Sequence, residues 1–275
     1  MKTAKILICA HKPFKLYQDE VYTPIQVGKS TTDIDLGYIG DDTGDNISEK
    51  NPYYCELTAQ YWAWKNLTCD FIGLEHYRRH FLCRFSLDKL DQLMKNVDVV
   101  LAAPKYLQSS VWFYLERYLT LEDVSIFYKI LIGKEVDKKI VDRYLSGNMD
   151  IRFNMFFMKK ELFDEFAQWQ FDILGECEKY IKKGSYTRLR RIYGYFGEVL
   201  LPIWCLQKGL KIKYLPIDLP ETNWNDWQYM RKLRYRLSQK FYKSFFWLKR
   251  CFSTPGIVLN QAALVGLEQD GIKIE

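Results

Sequence analysis

Short apolar runs alternate along this chain with longer segments whose apolar residues return every three or four positions. The first run, residues 5–10, has strand length, and 25–27 gives a second short strand. Residues 28–50 are loop, rich in Gly and Asp. Residues 53–66 read as a helix, with Asn51 as N-cap and Pro52 at the first helical position. Tyr54, Leu57, Tyr61 and Trp64 recur at helical spacing there and read as core. Further strands are expected at 71–74, 97–102, 151–158 and 211–215. Further helices are expected at 87–96, within 111–145, and at 160–183 and 197–208. Such alternation predicts an α/β domain with a mainly parallel or mixed sheet.

From Trp227 to Phe252 the pattern changes. Trp227, Met230, Leu233, Leu237, Phe241, Phe245, Leu248 and Phe252 recur at three- or four-residue steps, with Arg and Lys between them. This predicts a basic amphipathic helix. The organisation is therefore read as an α/β domain over 1–225 and a basic helical segment over 226–275.

Composition narrows the class. At 275 residues, one or two domains are expected, and 48% hydrophobic with 27% charged residues excludes disorder and low complexity. No run of 18 apolar residues occurs, so no transmembrane helix is expected, and the N-terminal apolar run is too short for a secretory signal. The seven cysteines are odd in number and show no CxxC spacing. They read as free thiols in a reducing, cytoplasmic compartment, not as a disulfide framework or zinc site.

The net charge is +6. Eight of the basic residues fall within 231–250, and no acidic residue occurs from 227 to 267; the remainder holds 32 basic against 34 acidic residues. The positive excess thus belongs to one aromatic-rich helix. That favours a membrane surface as the polyanionic partner over nucleic acid, for which no RNP-like motif, zinc site or helix-turn-helix is present. The alternative is a helix packed on the α/β domain with a solvated basic face.

In α/β sheets, ligands bind beyond the carboxyl ends of the strands. Ala10, His11 and Lys12 follow the first strand. Glu75, His76, Tyr77, Arg78 and Arg79 follow the strand at 71–74. Asn154 lies near the strand at 151–158, and Glu198 begins the helix at 197. Two adjacent arginines beside a carboxylate suit an anionic ligand such as a diphosphate. The competing reading is an ion pair of Glu75 with Arg78 or Arg79. For His11 it is a loop histidine packed on Pro13 or Phe14.

Two long motifs carry a resemblance. The stretch Gly44-Asp45-Asn46-Ile47-Ser48-Glu49-Lys50-Asn51-Pro52-Tyr53-Tyr54-Cys55-Glu56-Leu57-Thr58, continued by Tyr61-Trp62-Ala63-Trp64-Lys65-Asn66, is the first. Gly73-Leu74-Glu75-His76-Tyr77-Arg78-Arg79 is the second. Together they resemble the bacterial DUF4422 family of glycosyltransferases from capsule, exopolysaccharide and O-antigen gene clusters, over about residues 4–225. The resemblance implies a GT-A-like, Rossmann-type mixed sheet flanked by helices. It also implies a UDP-sugar donor, with galactose (pyranose or furanose) as the first candidate.

On that footing Ala10, His11 and Lys12 lie beside the uracil and phosphates. Asn46, Ser48 and Asn51 offer polar groups to ribose or sugar, unless Asn51 only caps the helix. Glu56 binds sugar hydroxyls or pairs with an arginine. Glu75, His76 and Tyr77 occupy the place of the Asp-X-Asp that holds Mg²⁺ or Mn²⁺ in GT-A enzymes. One carboxylate is a poor Mg²⁺ site, whereas Mn²⁺ accepts Glu75 with His76. Otherwise Arg78, Arg79 or Lys12 neutralises the leaving diphosphate. Glu198 is the expected base of an inverting transfer, with Asp150 as runner-up and Asn154 facing the same cleft. The basic loop 182–194 is either an acceptor-diphosphate site or a solvated loop. The acceptor is expected to be lipid-linked or an oligosaccharide, met at the inner face of the plasma membrane through residues 227–252. A non-catalytic lipid- or partner-binding scaffold with a degenerate GT-A fold is the alternative.

Overall fold

The computed structural model describes residues 2–134, 136–181, 189–218, 227–251 and 256–269. The chain begins β1 (Ala4–Ala10), β2 (Tyr22–Gln26), β3 (Ile39–Gly40), α1 (Asn51–Tyr54), α2 (Leu57–Asn66), β4 (Phe71–His76) and β5 (His80–Phe81). It continues through α3 (Leu87–Leu93), β6 (Val99–Ala102), β7 (Lys105–Tyr106), α4 (Val111–Glu116), α5 (Leu121–Gly133), α6 (Lys138–Ser146), β8 (Met149–Asp150) and β9 (Phe156–Lys159). Then follow α7 (Lys160–Tyr180), α8 (Ile192–Gln207), β10 (Ile212–Leu215), β11 (Ile217–Asp218), α9 (Trp227–Cys251) and α10 (Gln261–Gln269). Two compact units result. One comprises Met1–Ala103, Arg152–Leu174 and Lys183–Leu219; the other comprises Pro104–Ile151, Gly175–Lys182 and Pro220–Glu275.

The first unit holds a seven-stranded sheet in the order β10-β6-β9-β4-β1-β2-β3. β9 runs antiparallel to both of its neighbours, and the other pairings are parallel. β1 is apolar on both faces, as a central parallel strand must be: Ile6, Leu7, Ile8 and Cys9 are all buried. In β4, Gly73 lets β9 come close. A Cβ there would lie 2.9 Å from both the Phe156 carbonyl oxygen and the Phe157 ring. The vacated space is filled by Phe157, which stacks on Phe71 at 5.8 Å and on Phe85 at 5.9 Å.

Three expected elements differ. The helix expected over 53–66 is broken at Cys55, whose backbone turns to φ 53°, ψ −132°, so α1 and α2 meet at an elbow. Asn51 is not an N-cap. It lies inside α1, and its amide donates across the elbow to the Cys55 carbonyl (2.8 Å) and to Thr58 Oγ1 (3.1 Å). The strand expected over 151–158 begins only at Phe156, because Phe153 and Asn154 adopt left-handed backbone (φ 77° and 49°). The helix expected from 197 begins at Ile192. Of the basic loop expected at 182–194, residues 182–188 lie outside the described residues, and Leu189–Arg191 forms a 3-10 turn leading into α8.

In the second unit, Ser110, Thr120 and Asp137 cap α4, α5 and α6 by accepting from backbone N–H groups. α10 packs on α5, and α9 packs on β7. Gln239 of α9 pairs with Tyr106 as a strand would: Oε1 accepts from its N–H (2.6 Å) and Nε2 donates to its carbonyl (3.0 Å). Asn148 Nδ2 donates to the Leu107 and Tyr242 carbonyls. Phe246 is buried, whereas Leu237, Phe241, Phe245 and Leu248 are 48–58% exposed. No described helix is long and apolar enough to cross a membrane.

Candidate functional site

β1 and β4 end side by side, with Cys9 in register with His76. Beyond these ends β4 reverses in a tight turn. His76 and Arg79 exchange two backbone hydrogen bonds of 3.1 Å, and Tyr77 N–H donates to the Cys9 carbonyl (3.0 Å). The turn therefore delivers Tyr77, Arg78 and Arg79 to the sheet's carboxyl edge. The Tyr77 ring holds the loop after β1 through edge contacts with His11 (5.1 Å) and Phe14 (5.6 Å). The Arg79 guanidinium lies 4.4 Å from the Phe153 ring.

Here a cleft of about 320 Å³ opens within the first unit. His11, Asn51, Glu56, His76, Tyr77, Arg78 and Arg79 all line it, as do Cys9, Val27, Pro52, Cys55 and Arg191. Three arginines thus meet one carboxylate. The His11 pKa is lowered, first by desolvation and then by the positive charges of Lys12, Arg78 and Arg191. The cationic side chains of Arg78 and Arg191 thus act on His11 from across the cleft. Arg191 Nε donates to Cys55 Sγ (3.2 Å). The Cys55 thiol is pushed up to about 12 by burial, so it stays protonated at neutral pH.

Glu56 follows the elbow residue Cys55 and is buried at 7% exposure. Its Oε1 accepts from Asn154 Nδ2 (2.9 Å), whose amide also donates to the Gly194 carbonyl (3.2 Å). Glycines on α8 permit this approach. A Cβ at Gly197 would meet Asn154 Oδ1 at 3.1 Å, and one at Gly194 would meet Cys55 Sγ at 3.1 Å. His76 Nε2 lies 3.7 Å from Glu56 Oε1 and 2.6 Å from the Phe153 carbonyl oxygen. A carbonyl only accepts, so Nε2 carries the proton.

The metal pair suggested by sequence does not assemble. Adjacent strand residues point to opposite faces, and Glu75 turns away from His76. Glu75 is fully buried, accepting from His80 Nδ1 (2.8 Å), Phe81 N–H (3.2 Å) and Tyr17 OH (3.3 Å). His76 Nε2 carries the proton, which leaves Nδ1 as its one lone-pair nitrogen, on the face of the strand opposite Glu75. Among the described residues, no three His, Cys, Asp or Glu side chains come together as metal ligands. The side chains present therefore do not fit an Mg²⁺ or Mn²⁺ site built on Glu75 and His76.

The other expected residues lie outside the lining of the cleft. Ala10 is buried, and its carbonyl accepts from Val27 N–H (2.9 Å). Lys12 is exposed. Asn46 bonds within its own loop, to the Gly44 carbonyl and the Ser48 N–H. Ser48 is buried and donates to Asp41 Oδ1 (2.5 Å). Glu198 does not begin a helix: it lies two turns into α8, where its Oε1 accepts from Phe153 N–H (3.0 Å) and braces the left-handed turn. Asp150 belongs to the second unit, buried on β8 opposite Lys105 of β7. Sequence reasoning did not single out Cys9, Cys55 or Arg191 as cleft residues. Only Arg191 left a signal, within the basic run before α8.

The family described as DUF4422, a domain of unknown function, matches residues 5–209. The chain belongs to the DUF4422 family. No curated protein matches it. Among solved structures, this DUF4422 chain is similar to the apo structure of WbbM, a bifunctional glycosyltransferase. The TM-score is 0.73 at 26% identity, covering 80% of this chain and 46% of that one, so the chain spans about half the length of its structural relative. The seven-stranded mixed sheet with flanking helices is a GT-A-like fold.

Proposed function

We propose that this DUF4422 chain is a glycosyltransferase. It moves a hexose from a UDP-sugar to a lipid-linked or oligosaccharide acceptor during capsule or exopolysaccharide synthesis, with inversion at the anomeric carbon. Galactose, as pyranose or furanose, is the first donor to test. The observation that carries the reading is the meeting of Arg78, Arg79 and Arg191 at the carboxyl ends of β1 and β4. Fixed guanidiniums in a half-enclosed cleft stabilise the charge that builds on a departing diphosphate, at no cost of reorganisation. Similarity to a bifunctional glycosyltransferase supports the same reading.

Calorimetry with UDP, GDP and CMP, with and without Mn²⁺, tests it. UDP is expected to bind, and Arg78→Ala with Arg79→Ala is expected to weaken binding at least tenfold. Failure of all three nucleotides to bind favours the scaffold reading.

The same proposal sets the chain at the cytoplasmic membrane surface through residues 227–252. On α9, Leu233, Leu237, Phe241, Phe245 and Leu248 are each at least 40% exposed along one face. Arg234, Arg236, Lys240, Lys243 and Lys249 flank that stripe, also exposed. Apolar insertion and attraction to anionic lipid act together in such a helix. Binding to anionic but not to neutral vesicles is the expected result of sedimentation.

A further inference from the structure

We infer that Glu56 is the base that takes the acceptor's proton, and that Asn154 positions it. The inference rests on the glycosyltransferase reading and names a residue for the transfer step. Glu56 is the one carboxylate among the described residues lining the cleft. Beside a diphosphate a second negative charge is unfavourable unless it has a task or a partner. No arginine or lysine lies within ion-pair distance of Glu56 among the described residues, although its charge acts on Arg191 across the cleft; His76 Nε2, at 3.7 Å, directs its proton to Phe153. The His76 contact falls on Oε1, the oxygen that Asn154 also holds.

Its two oxygens differ. Oε1 is held by Asn154, which is itself 1% exposed and fixed by the left-handed turn before β9. Oε2 takes no hydrogen bond among the described residues, while the side chain lines the cleft. One oxygen is thus anchored and the other is left to accept. The backbone at the preceding residue, Cys55, is non-glycine at φ 53°, a strain of the kind that accumulates where a side chain must be aimed.

In the step, the acceptor hydroxyl oxygen bonds to the anomeric carbon, and the bond from that carbon to the β-phosphate oxygen breaks. Its electron pair leaves on UDP, beside the arginines. The hydroxyl proton passes to Glu56 Oε2. Glu198 and Asp150 have other places: the first braces Phe153, and the second lies on β8.

The test uses UDP-galactose and UDP-galactofuranose as donors with an octyl galactoside as acceptor. Glu56→Gln keeps the shape and the bond from Asn154. It is expected to bind UDP within threefold of the native chain and to lose at least a hundredfold in kcat, the scale of a general base. Asn154→Ala is expected to displace the acidic limb of the kcat–pH profile, which loss of packing alone does not move. Three results overturn the inference. A Glu56→Gln chain with kcat within threefold and an unchanged acidic limb does so while leaving the transferase reading intact. A raised donor KM at constant kcat does so by making Glu56 a contact to sugar hydroxyls. Native chain that binds no UDP removes the transferase reading, and the base with it.

Discussion

Asp41 accepts a 2.6 Å hydrogen bond from Thr58 Oγ1, joining the loop after β3 to the first turn of α2. The same fully buried carboxylate takes the N–H groups of Gly28 (2.8 Å) and Lys29 (3.1 Å) and the hydroxyl of Ser48 (2.5 Å). One side chain thereby gathers three stretches of chain behind the cleft wall. Gly28 itself sits at φ 65°, packed on Asn51 so closely that a Cβ would fall 2.6 Å from Asn51 Oδ1.

Removing that hub leaves three donors, the Gly28 and Lys29 N–H groups and the Ser48 hydroxyl, without their acceptor, while the Thr58 hydroxyl keeps the Cys55 carbonyl at 3.0 Å. Asp41→Ala is expected to destabilise the chain by at least about 3 kcal/mol, since each buried polar group left unpaired costs roughly 1–3 kcal/mol. Thr58→Val removes one bond to the carboxylate and is expected to cost about 2 kcal/mol. Urea unfolding followed by circular dichroism measures both, and equal effects from the two variants would contradict the hub.

His11 gives a pH prediction. Its folded-state pKa lies below the ordinary 6.5 because of desolvation and neighbouring cations. Between the two values the unfolded chain binds a proton that the folded chain refuses. The stability due to this group is therefore full above 6.5 and declines as the pH falls through that window. On the proposed transferase reading, the negative charge of a bound diphosphate raises the His11 pKa, so UDP binding just below pH 6.5 is expected to take up protons. Calorimetry in two buffers of different ionisation enthalpy detects the uptake, and His11→Gln is expected to abolish it.

Gly73 tests the sheet. A Cβ at this position meets the Phe156 carbonyl oxygen, a backbone atom with no freedom to yield. Gly73→Ala is expected to cost about 2–3 kcal/mol, in the range of overpacked cores. A thermal midpoint unchanged from the native chain would show that β4 and β9 are less tightly apposed than this.

On the membrane-surface proposal, the exposed basic residues of α9 are expected to set the affinity for anionic vesicles. Arg236→Gln with Lys240→Gln removes two charges, each worth roughly 1 kcal/mol near an anionic surface, and is expected to weaken binding about thirtyfold. Both side chains are exposed, so the melting temperature is expected to stay constant. Binding that is insensitive to these charges and to salt would remove the electrostatic part of the association.

Much of the sheet could be read from the sequence because β1, β4 and β6 carry short apolar runs at the expected positions and β10 alternates apolar with polar residues. The elbow at Cys55 could not, since a cysteine carries no signal for left-handed backbone; only Asn51, bonded across the bend, explains it. Asp41 escaped notice because its partners lie 7 to 17 positions away along a loop without periodicity. The residues at 75–79 drew attention correctly as a cluster. Their division was hidden: strand alternation sends Glu75 to His80 and Tyr17 while His76 meets Glu56. The start of α8 was masked by Gly194 and Gly197, which read as loop but allow Cys55 and Asn154 to come close.

The antiparallel β9 has a consequence for synthesis. Four parallel strands, β3-β2-β1-β4, are complete at residue 76, yet the neighbour that covers the open side of β4 arrives only with Phe156–Lys159. At about 5–20 residues per second, translation leaves that apolar edge unpaired for roughly 4–16 s. An uncovered edge is a template for another chain. Slowing translation between residues 76 and 156 is therefore expected to lower the yield of native sheet.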